Sequence, residues 1–408
     1  MAGKSKIEWC TDTWNPIVGC SIVSPGCTNC YAMGQAERIV RMAKGARKKS
    51  HYAGTTELVK GKAVWTGKLA LAPEHILTAP LRWTKPRRIF VNSMGDLFHE
   101  DVPDGWIMHV FDVMWNCPQH TFHILTKRPD RMRAFMEKWT DLNGENFDPK
   151  LVRGPEETRK AHPSGRGQLF AAYLDTLLER SGGTIPDGAA WPTFDWAGGM
   201  IMWPDFPPNV WLGVSAERQK EADERIPDLL MTPAAIRFVS CEPLLGGIDL
   251  TAIRFHDEDD VEIRINALTA EAWVEDSLSG SAYTNEADGN TRLDWVIVGG
   301  ESGKNSRPMH PDWAHSLRNQ CQAAGVAYFH KQNGSYEVIY DRGHDDPDWR
   351  RCDVVERKDP KGRWLNLEGG HGFHGERVVY AVPRNKIAAG RLLDGREWNE
   401  FPLTRETF

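Results

Sequence analysis

Residues 209–241 read NVWLGVSAERQKEADERIPDLLMTPAAIRFVSC, two apolar runs separated by a polar one. The apolar runs, residues 209–215 and 236–241, are typical of strands buried on both faces of a sheet. The segment between them, residues 217–230, is compatible with a single crossover helix. Strand, helix and strand in this order predict a parallel βαβ unit.

The same pattern recurs on both sides of this unit. Comparable apolar runs are 88–94 (RIFVNSM), 121–126 (TFHILT), 293–299 (LDWVIVG) and 326–330 (VAYFH), and WNPIVGC at 14–20 is a candidate first strand. Residues 107–115 and 312–324 are compatible with further crossover helices. Six or seven such units predict an α/β protein built on a partial or full (β/α) barrel. A doubly wound open sheet is the alternative.

Two stretches interrupt this rhythm and predict the domain organisation. Residues 139–207 are rich in Gly, Pro and charge, and residues 253–292 are acidic and polar. We interpret both as insertions between barrel units, because loops of this length are uncommon inside a compact domain. The barrel would span residues 1–333, and residues 334–408 would form a C-terminal extension with short strands.

Charge and composition restrict the classes of function. The 408 residues carry a net charge of −6, so nucleic-acid binding would require a local basic patch. One candidate is residues 38–49 (RIVRMAKGARKK), which carry six basic side chains, although a solvated helix face is the simpler interpretation. No run approaches the roughly 18 apolar residues of a membrane span, and no signal peptide is evident. We therefore expect a cytoplasmic protein that is not bound to a membrane.

Three cysteines lie close together in GCSIVSPGCTNCYA, residues 19–32. In a long chain whose other cysteines are scattered, such a group indicates metal binding rather than disulfides. Zinc would need a fourth ligand, for which Cys10 is the candidate. An iron–sulfur cluster bound by Cys20, Cys27 and Cys30 alone would leave one iron with an open position. The spacing leaves both alternatives open.

Residues that can carry chemistry or bind a ligand lie at or just after the ends of the predicted strands. The residues concerned are Ser93, Asp96, Lys127, Arg128, Glu217, Cys241, Glu242, Gly299, Gly300, Glu301 and Lys331. In β/α barrels the active site forms at the carboxyl ends of the strands, so this set predicts an active site there. Strands also become polar simply on leaving a core. A nuclease or hydrolase that holds a divalent metal with Asp96, Glu217 and Glu301 is a further interpretation.

Several motifs carry a resemblance to known proteins. The cysteine loop, ending in NCYA, is similar to the cluster loops of the radical SAM superfamily, particularly its spore photoproduct lyase-like branch. The usual spacing there is CxxxCxxC, whereas six residues separate Cys20 from Cys27. The motifs KIEWCTDTWNPIVGC, FVNSMGDLFHEDVP, HILTKRPDRM, RFVSCEPLL and DWVIVGGESG resemble a radical SAM-like family of phage and prophage proteins of undefined activity.

The resemblance implies a radical SAM-type barrel and a cofactor chemistry. Cys20, Cys27 and Cys30 would hold a 4Fe-4S cluster whose open iron binds S-adenosylmethionine (SAM). One electron from the cluster would then cleave SAM and yield a 5′-deoxyadenosyl radical. Asp96, together with Ser93, is the expected contact to the SAM amino group.

The remaining candidates have less specific implied roles. Gly299, Gly300 and Glu301 resemble the GGE motif that helps to bind the SAM amino group. Lys127 and Arg128 would pair with the SAM carboxylate or a substrate phosphate, unless they form a solvated basic face.

Two further residues have competing interpretations. Glu217 would orient ribose hydroxyls or cap a helix. Cys241 would donate a hydrogen atom to a product radical, or is simply a small buried hydrophobe.

The implied substrate is a nucleic-acid base or nucleotide, with DNA base modification, isomerisation or repair as the outcome. The lyase, isomerase or transferase class stays open. An electron donor such as flavodoxin or ferredoxin would be the partner, and the host cytoplasm the location of a phage-encoded protein. The alternative is a DNA-binding or regulatory protein, stabilised by zinc or an iron–sulfur cluster, without catalysis.

Overall fold

The computed structural model describes residues 2–141, 193–195, 200–202, 207–256, 261–275, 282–286, 291–340, 361–370 and 378–402. The strands before the second predicted insertion are β1 Ala2–Lys4, β2 Asp12–Trp14, β3 Ile17–Val18, β4 Thr56–Val59, β5 Lys62–Trp65, β6 Ala70–Leu71, β7 Arg88–Val91, β8 Thr121–Thr126, β9 Thr193–Asp195, β10 Met200–Met202, β11 Val210–Ser215 and β12 Ile236–Cys241. The later strands are β13 Ile253–His256, β14 Glu262–Ile265, β15 Glu271–Glu275, β16 Ala282–Glu286, β17 Trp295–Gly299, β18 Ala327–Gln332, β19 Tyr336–Tyr340, β20 Arg363–Leu365 and β21 Val379–Pro383.

The described part of the chain also contains seven α-helices. They are α1 Tyr31–Gly45, α2 Glu74–Leu77, α3 Asp104–Trp115, α4 Pro129–Asp141, α5 Gln219–Met231, α6 Pro311–Ala324 and α7 Lys386–Ala389. Pro25–Cys27 and Ala79–Arg82 form 3-10 turns. Within the described ranges, no helix has both the length and the apolar composition to cross a bilayer.

A mostly parallel sheet of eight strands forms the centre of the molecule. Its strand order is β1-β2-β7-β8-β11-β12-β17-β18, with β1 antiparallel to β2 and every other pair parallel. The parallel strands follow one another across the sheet in chain order. A doubly wound sheet requires a reversal of that order, so this alternative is excluded. Among the described strands no pairing joins β18 to β1, so a full, closed barrel is not present.

The predicted βαβ unit at residues 209–241 is confirmed as β11, α5 and β12. Strands β11 and β12 pair in parallel, and α5 connects them. Helix α6 shows why such helices have defined ends: Pro311 occupies its first turn, and Gly325 ends it in the left-handed conformation with φ 66°. Proline lacks the amide that would be unpaired there, and glycine adopts positive φ at little cost.

The sheet is strongly curved, and aromatic side chains fill its concave face. The rings of His123 on β8 and Trp295 on β17 lie 5.6 Å apart, although two strands separate them. In a flat sheet three strand spacings would place these side chains about 14 Å apart. Trp9 and Trp211 contact His123 in the same cluster, with ring centroids 5.5 and 4.8 Å away.

Side chains alternate between this concave face and the helices outside. On β12, Phe238 belongs to the aromatic cluster, whereas Val239 and Cys241 pack into the larger apolar core that the helices cover. This alternation follows from the two-residue period of a strand.

The predicted insertions and extension differ in how much of them is described. Strands β13 to β16 form a four-stranded antiparallel sheet within residues 253–292. Most of residues 139–207 lies outside the described residues, apart from the antiparallel strand pair β9 and β10 and short flanking pieces. In the extension, β19, β21 and β20 form a sheet, and Phe401 packs on Trp295 with ring centroids 5.0 Å apart. The extension therefore contacts the central sheet.

Candidate functional site

A cavity of about 280 Å³ opens where the parallel strands end. Its size is close to the lower end of the range for small-molecule sites. The predicted site residues that line it are Cys20, Cys27, Cys30, Ser93, Asp96, Lys127, Arg128, Gly300 and Glu301. Most of the candidates from the sequence therefore lie at one place in the fold.

The cysteine loop crosses this cavity between β3 and α1. Gly19 begins it with φ 98°, and a Cβ atom there would overlap the backbone oxygen of Lys68. The 3-10 turn Pro25–Cys27 follows, and α1 begins directly after Cys30. Glycine is required at Gly19 because its backbone conformation and the space around it both exclude a side chain.

All three thiols line the cavity, and the surroundings of two of them, Cys20 and Cys30, disfavour a free thiolate. Burial, together with Asp96 and the other two thiols, raises the pKa of Cys20 to about 12, although Arg128 acts in the opposite direction. Burial is also the main cause that raises the pKa of Cys30. A bound metal centre would reverse this balance, because a coordinated thiol is deprotonated.

Arg128, at the end of β8, holds the first part of the cysteine loop. Its guanidinium donates to Ser21 Oγ at 2.6 Å and to Asp96 Oδ2 at 3.0 Å, and it also pairs with Glu100. The same nitrogen that bonds Asp96 lies 3.9 Å from Cys20 Sγ. A buried cation therefore stands beside the first thiol.

Glu217, which follows β11, contacts the middle of the cysteine loop. Its fully buried carboxylate accepts hydrogen bonds from Ser24 Oγ at 3.0 Å, from Arg225 at 3.1 Å and from Lys127. Burial acts to raise the pKa of Glu217, but Lys127 and Arg225 outweigh it, and the pKa lies below its ordinary value. A Cβ atom on Gly26 would overlap this carboxylate, so the loop and Glu217 are in close contact.

Glu301, after β17, holds the last part of the loop. Arg307 forms a bidentate pair with its carboxylate at 2.6 and 2.9 Å, and Arg307 also donates to the Pro25 carbonyl at 3.0 Å. Asn29, between Cys27 and Cys30, donates to the same carboxylate at 3.2 Å. Three strand ends thus fix the cysteine loop through charged hydrogen bonds.

These contacts revise the roles expected for three carboxylates. Asp96 accepts hydrogen bonds from Phe98 N, Thr126 Oγ1, Lys127 N and Arg128, at 2.7 to 3.1 Å. With four donors it positions Arg128 and the β8 loop, and it is not free to receive a ligand amine. Glu217 and Glu301 are likewise neutralised by basic partners, which disfavours a divalent metal held by these three residues.

One charged pair in the cavity is independent of the loop. Lys331 Nζ donates to both oxygens of Glu242, at 2.5 and 2.8 Å, and both side chains line the cavity. The sequence placed both residues at strand ends but gave no sign that they pair, because 89 positions separate them.

Three of the predicted site residues do not line the cavity: Glu217, Cys241 and Gly299. The expectation that Cys241 lies at the mouth requires correction, because its side chain points to the helix-covered core and is fully buried. Ser240 lines the cavity in its place. Gly300 lines the cavity, and a Cβ there would overlap the backbone of Asn333.

The described side chains do not form a ready-made site for a single metal ion. Within the described part of the chain, no three His, Cys, Asp or Glu side chains are arranged to hold one metal ion. Cys10, the fourth ligand expected for zinc, lies in the aromatic cluster beside Trp9 and Phe90 and outside the cavity. A 4Fe-4S cluster binds each thiolate to a different iron, so its ligands surround a larger object.

Fold and site together define a class: an α/β protein whose parallel sheet ends in a cavity lined by three cysteines. The chain belongs to the family described as Protein of unknown function (DUF5131), whose family model matches residues 4–402. No curated protein and no solved structure matches the chain.

Proposed function

We propose that the protein is a radical SAM enzyme that acts on a nucleic-acid base or nucleotide. The observation that carries this proposal is the placement of three cysteines of one loop on the same cavity at the ends of the parallel strands. Chain-order strands and a strongly curved sheet support a partial barrel of the radical SAM type.

The bound cluster would supply one electron, from a donor such as flavodoxin or ferredoxin, to the C5′–S bond of SAM. Reductive cleavage of that bond is the chemistry that the bound cofactor would supply to the substrate. Cys20, Cys27 and Cys30 hold the cluster in this proposal.

The other residues orient and protect these reactants. Arg128, Glu217 and Glu301 keep the loop fixed, so that the thiols hold one geometry. Arg128 also offsets negative charge beside Cys20. Glu242 and Lys331 pair with each other at the cavity wall, and in this proposal they would exchange that pairing for the ammonium and carboxylate of SAM.

The test is anaerobic reconstitution with iron and sulfide, reduction with dithionite and incubation with SAM. We expect a brown protein that releases 5′-deoxyadenosine, and a Cys27→Ser variant that releases none. Cys321→Ala, which alters a cysteine buried in the helix-covered core, is the matched control and should retain activity. A colourless protein with one zinc per chain and no SAM cleavage would support the metal-stabilised binding protein instead.

A further inference from the structure

Positive charge is concentrated in one segment of this acidic chain. Residues 31–68 contain nine Lys and Arg against two Glu, a net charge of +7, while the whole chain carries −6. The remaining residues therefore carry −13. This segment consists of α1 and the β4–β5 hairpin that packs against it. Such segregation of charge is the electrostatic signature of a surface for polyanions.

The basic residues lie on the outer side of α1 and on the turn after it. Arg38, Arg41, Lys44, Arg47, Lys48 and Lys49 are all exposed. Arg41 lies 3.8 Å from Glu37, whereas Arg38 and Lys44 form no ion pair with any described residue. Their charges are consequently available to a partner rather than used for internal contacts.

This basic surface begins at the rim of the cavity. Tyr31, the first residue of α1, lines the cavity and is 58% exposed. Its hydroxyl donates to the Ser93 carbonyl at 3.0 Å, which fixes the ring at the entrance. An aromatic ring held in this way, next to a row of cations, is the combination by which proteins bind single nucleic-acid strands.

We propose that the outer face of α1, from Tyr31 to Lys49, binds the phosphate backbone of single-stranded DNA and delivers one base past Tyr31 to the cavity. The proposal rests on the proposed function for its substrate class. A helix of this length spans about 22 Å, enough to follow several nucleotides. The occupant is a single strand, because a base inside a duplex cannot enter a cavity of about 280 Å³ without leaving its stack.

The test measures binding of a fluorescent 12-nucleotide single strand to the full chain, without SAM, at several salt concentrations. In Arg38→Gln/Arg41→Gln/Lys44→Gln, affinity near 0.1 M salt should fall between about tenfold and 100-fold. The slope of log affinity against log salt should decrease by about 2. The control Lys138→Gln/Lys220→Gln/Arg254→Gln removes three exposed charges from α4, α5 and β13 and should bind like the parent.

A single DNA strand that carries one fluorescent 2-aminopurine base tests whether a base stacks on Tyr31 at the cavity entrance. Tyr31→Ala should lower affinity about tenfold and reduce the quenching of the stacked base. Equal losses in the α1 and control variants, or tighter binding of a duplex of the same sequence, would overturn the proposal. SAM cleavage is measured separately, so a protein that cleaves SAM but binds no strand contradicts only this inference.

Discussion

Ser24 donates a hydrogen bond of 3.0 Å to the buried carboxylate of Glu217, across 193 positions of sequence. The contact joins the end of β11 to the middle of the cysteine loop. Because Lys127 and Arg225 share the same carboxylate, one buried anion organises two cations and the loop. The geometry of the thiols therefore depends on a residue that does not touch the cavity.

Glu217→Gln should destabilise the protein strongly. The substitution leaves the buried cation of Arg225 and the half-buried cation of Lys127 without their shared counter-charge, and breaking a buried pair costs about 3–5 kcal/mol. Chemical denaturation gives the free energy of unfolding. Glu137→Gln, which removes a surface pair with Arg133, is the control and should cost less than about 1 kcal/mol. Equal costs would show that Glu217 is not an organising anion.

Gly19→Ala and Gly34→Ala form a matched pair. At Gly19 a methyl group meets the Lys68 carbonyl and the backbone has φ 98°, whereas at Gly34 in α1 nothing lies within 4 Å. We expect Gly19→Ala to lower the free energy of unfolding by more than about 2 kcal/mol and to reduce iron incorporation. Gly34→Ala should raise it by about 0.5–1 kcal/mol, because alanine favours helix. Similar results at both positions would contradict the described loop geometry.

Cys241→Ala tests whether the strand alternation has been assigned correctly. The thiol lies in the helix-covered core, so its removal should cost about 1 kcal/mol of stability and leave SAM cleavage and product formation unchanged. A variant that cleaves SAM normally but fails to complete turnover would restore the hydrogen-donor role and contradict this placement.

The sequence predicted the parallel strands β7, β8, β11, β12, β17 and β18, the crossover helices and a cysteine loop near the strand ends. These features follow from local apolar runs and from the rule that parallel strands end at the same edge. The candidate first strand at residues 14–20 was wrong. The central sheet uses β2, which ends at Trp14, and after Pro16 the chain forms β3, which pairs with β6 in a separate sheet. The direction in which the Cys241 side chain points could not be predicted. All six residues of β12 are buried, so no alternation of polar and apolar residues shows which face of the sheet each side chain occupies.

The partners of the carboxylates could not be predicted either. Glu217 contacts Lys127 across 90 positions and Ser24 across 193, and no local pattern encodes such pairs. The same holds for Glu242 and Lys331. Long-range packing therefore decides which strand-end charges hold the loop and which are available to a ligand.

His123 makes stability depend on pH. Burial lowers its pKa from 6.5 to about 3, and neither ring nitrogen has a hydrogen-bond partner among the described residues. Below pH 6.5 the unfolded chain takes up a proton that the folded protein does not, so stability falls as the pH drops from about 6.5 to about 3. At pH 5 the loss from this residue is about 2 kcal/mol.

Unfolding measured at pH 7.5 and pH 5 checks this expectation. His123→Phe should reduce the difference between the two pH values by about 2 kcal/mol, since phenylalanine does not titrate. His75→Gln, a change at an exposed histidine, is the control and should leave the difference as in the parent. An unchanged difference in His123→Phe would show that His123 is not buried as a neutral ring.

The most direct test of the central claim is the electron paramagnetic resonance spectrum of the reduced, reconstituted protein with and without SAM. The account predicts about four irons per chain, a signal from a reduced 4Fe-4S cluster, and a change in that signal when SAM binds the open iron. Cys20→Ser, Cys27→Ser and Cys30→Ser should each lose the signal, while Cys321→Ala keeps it. A spectrum that SAM leaves unchanged, or a protein that takes up zinc in place of iron, would contradict the account.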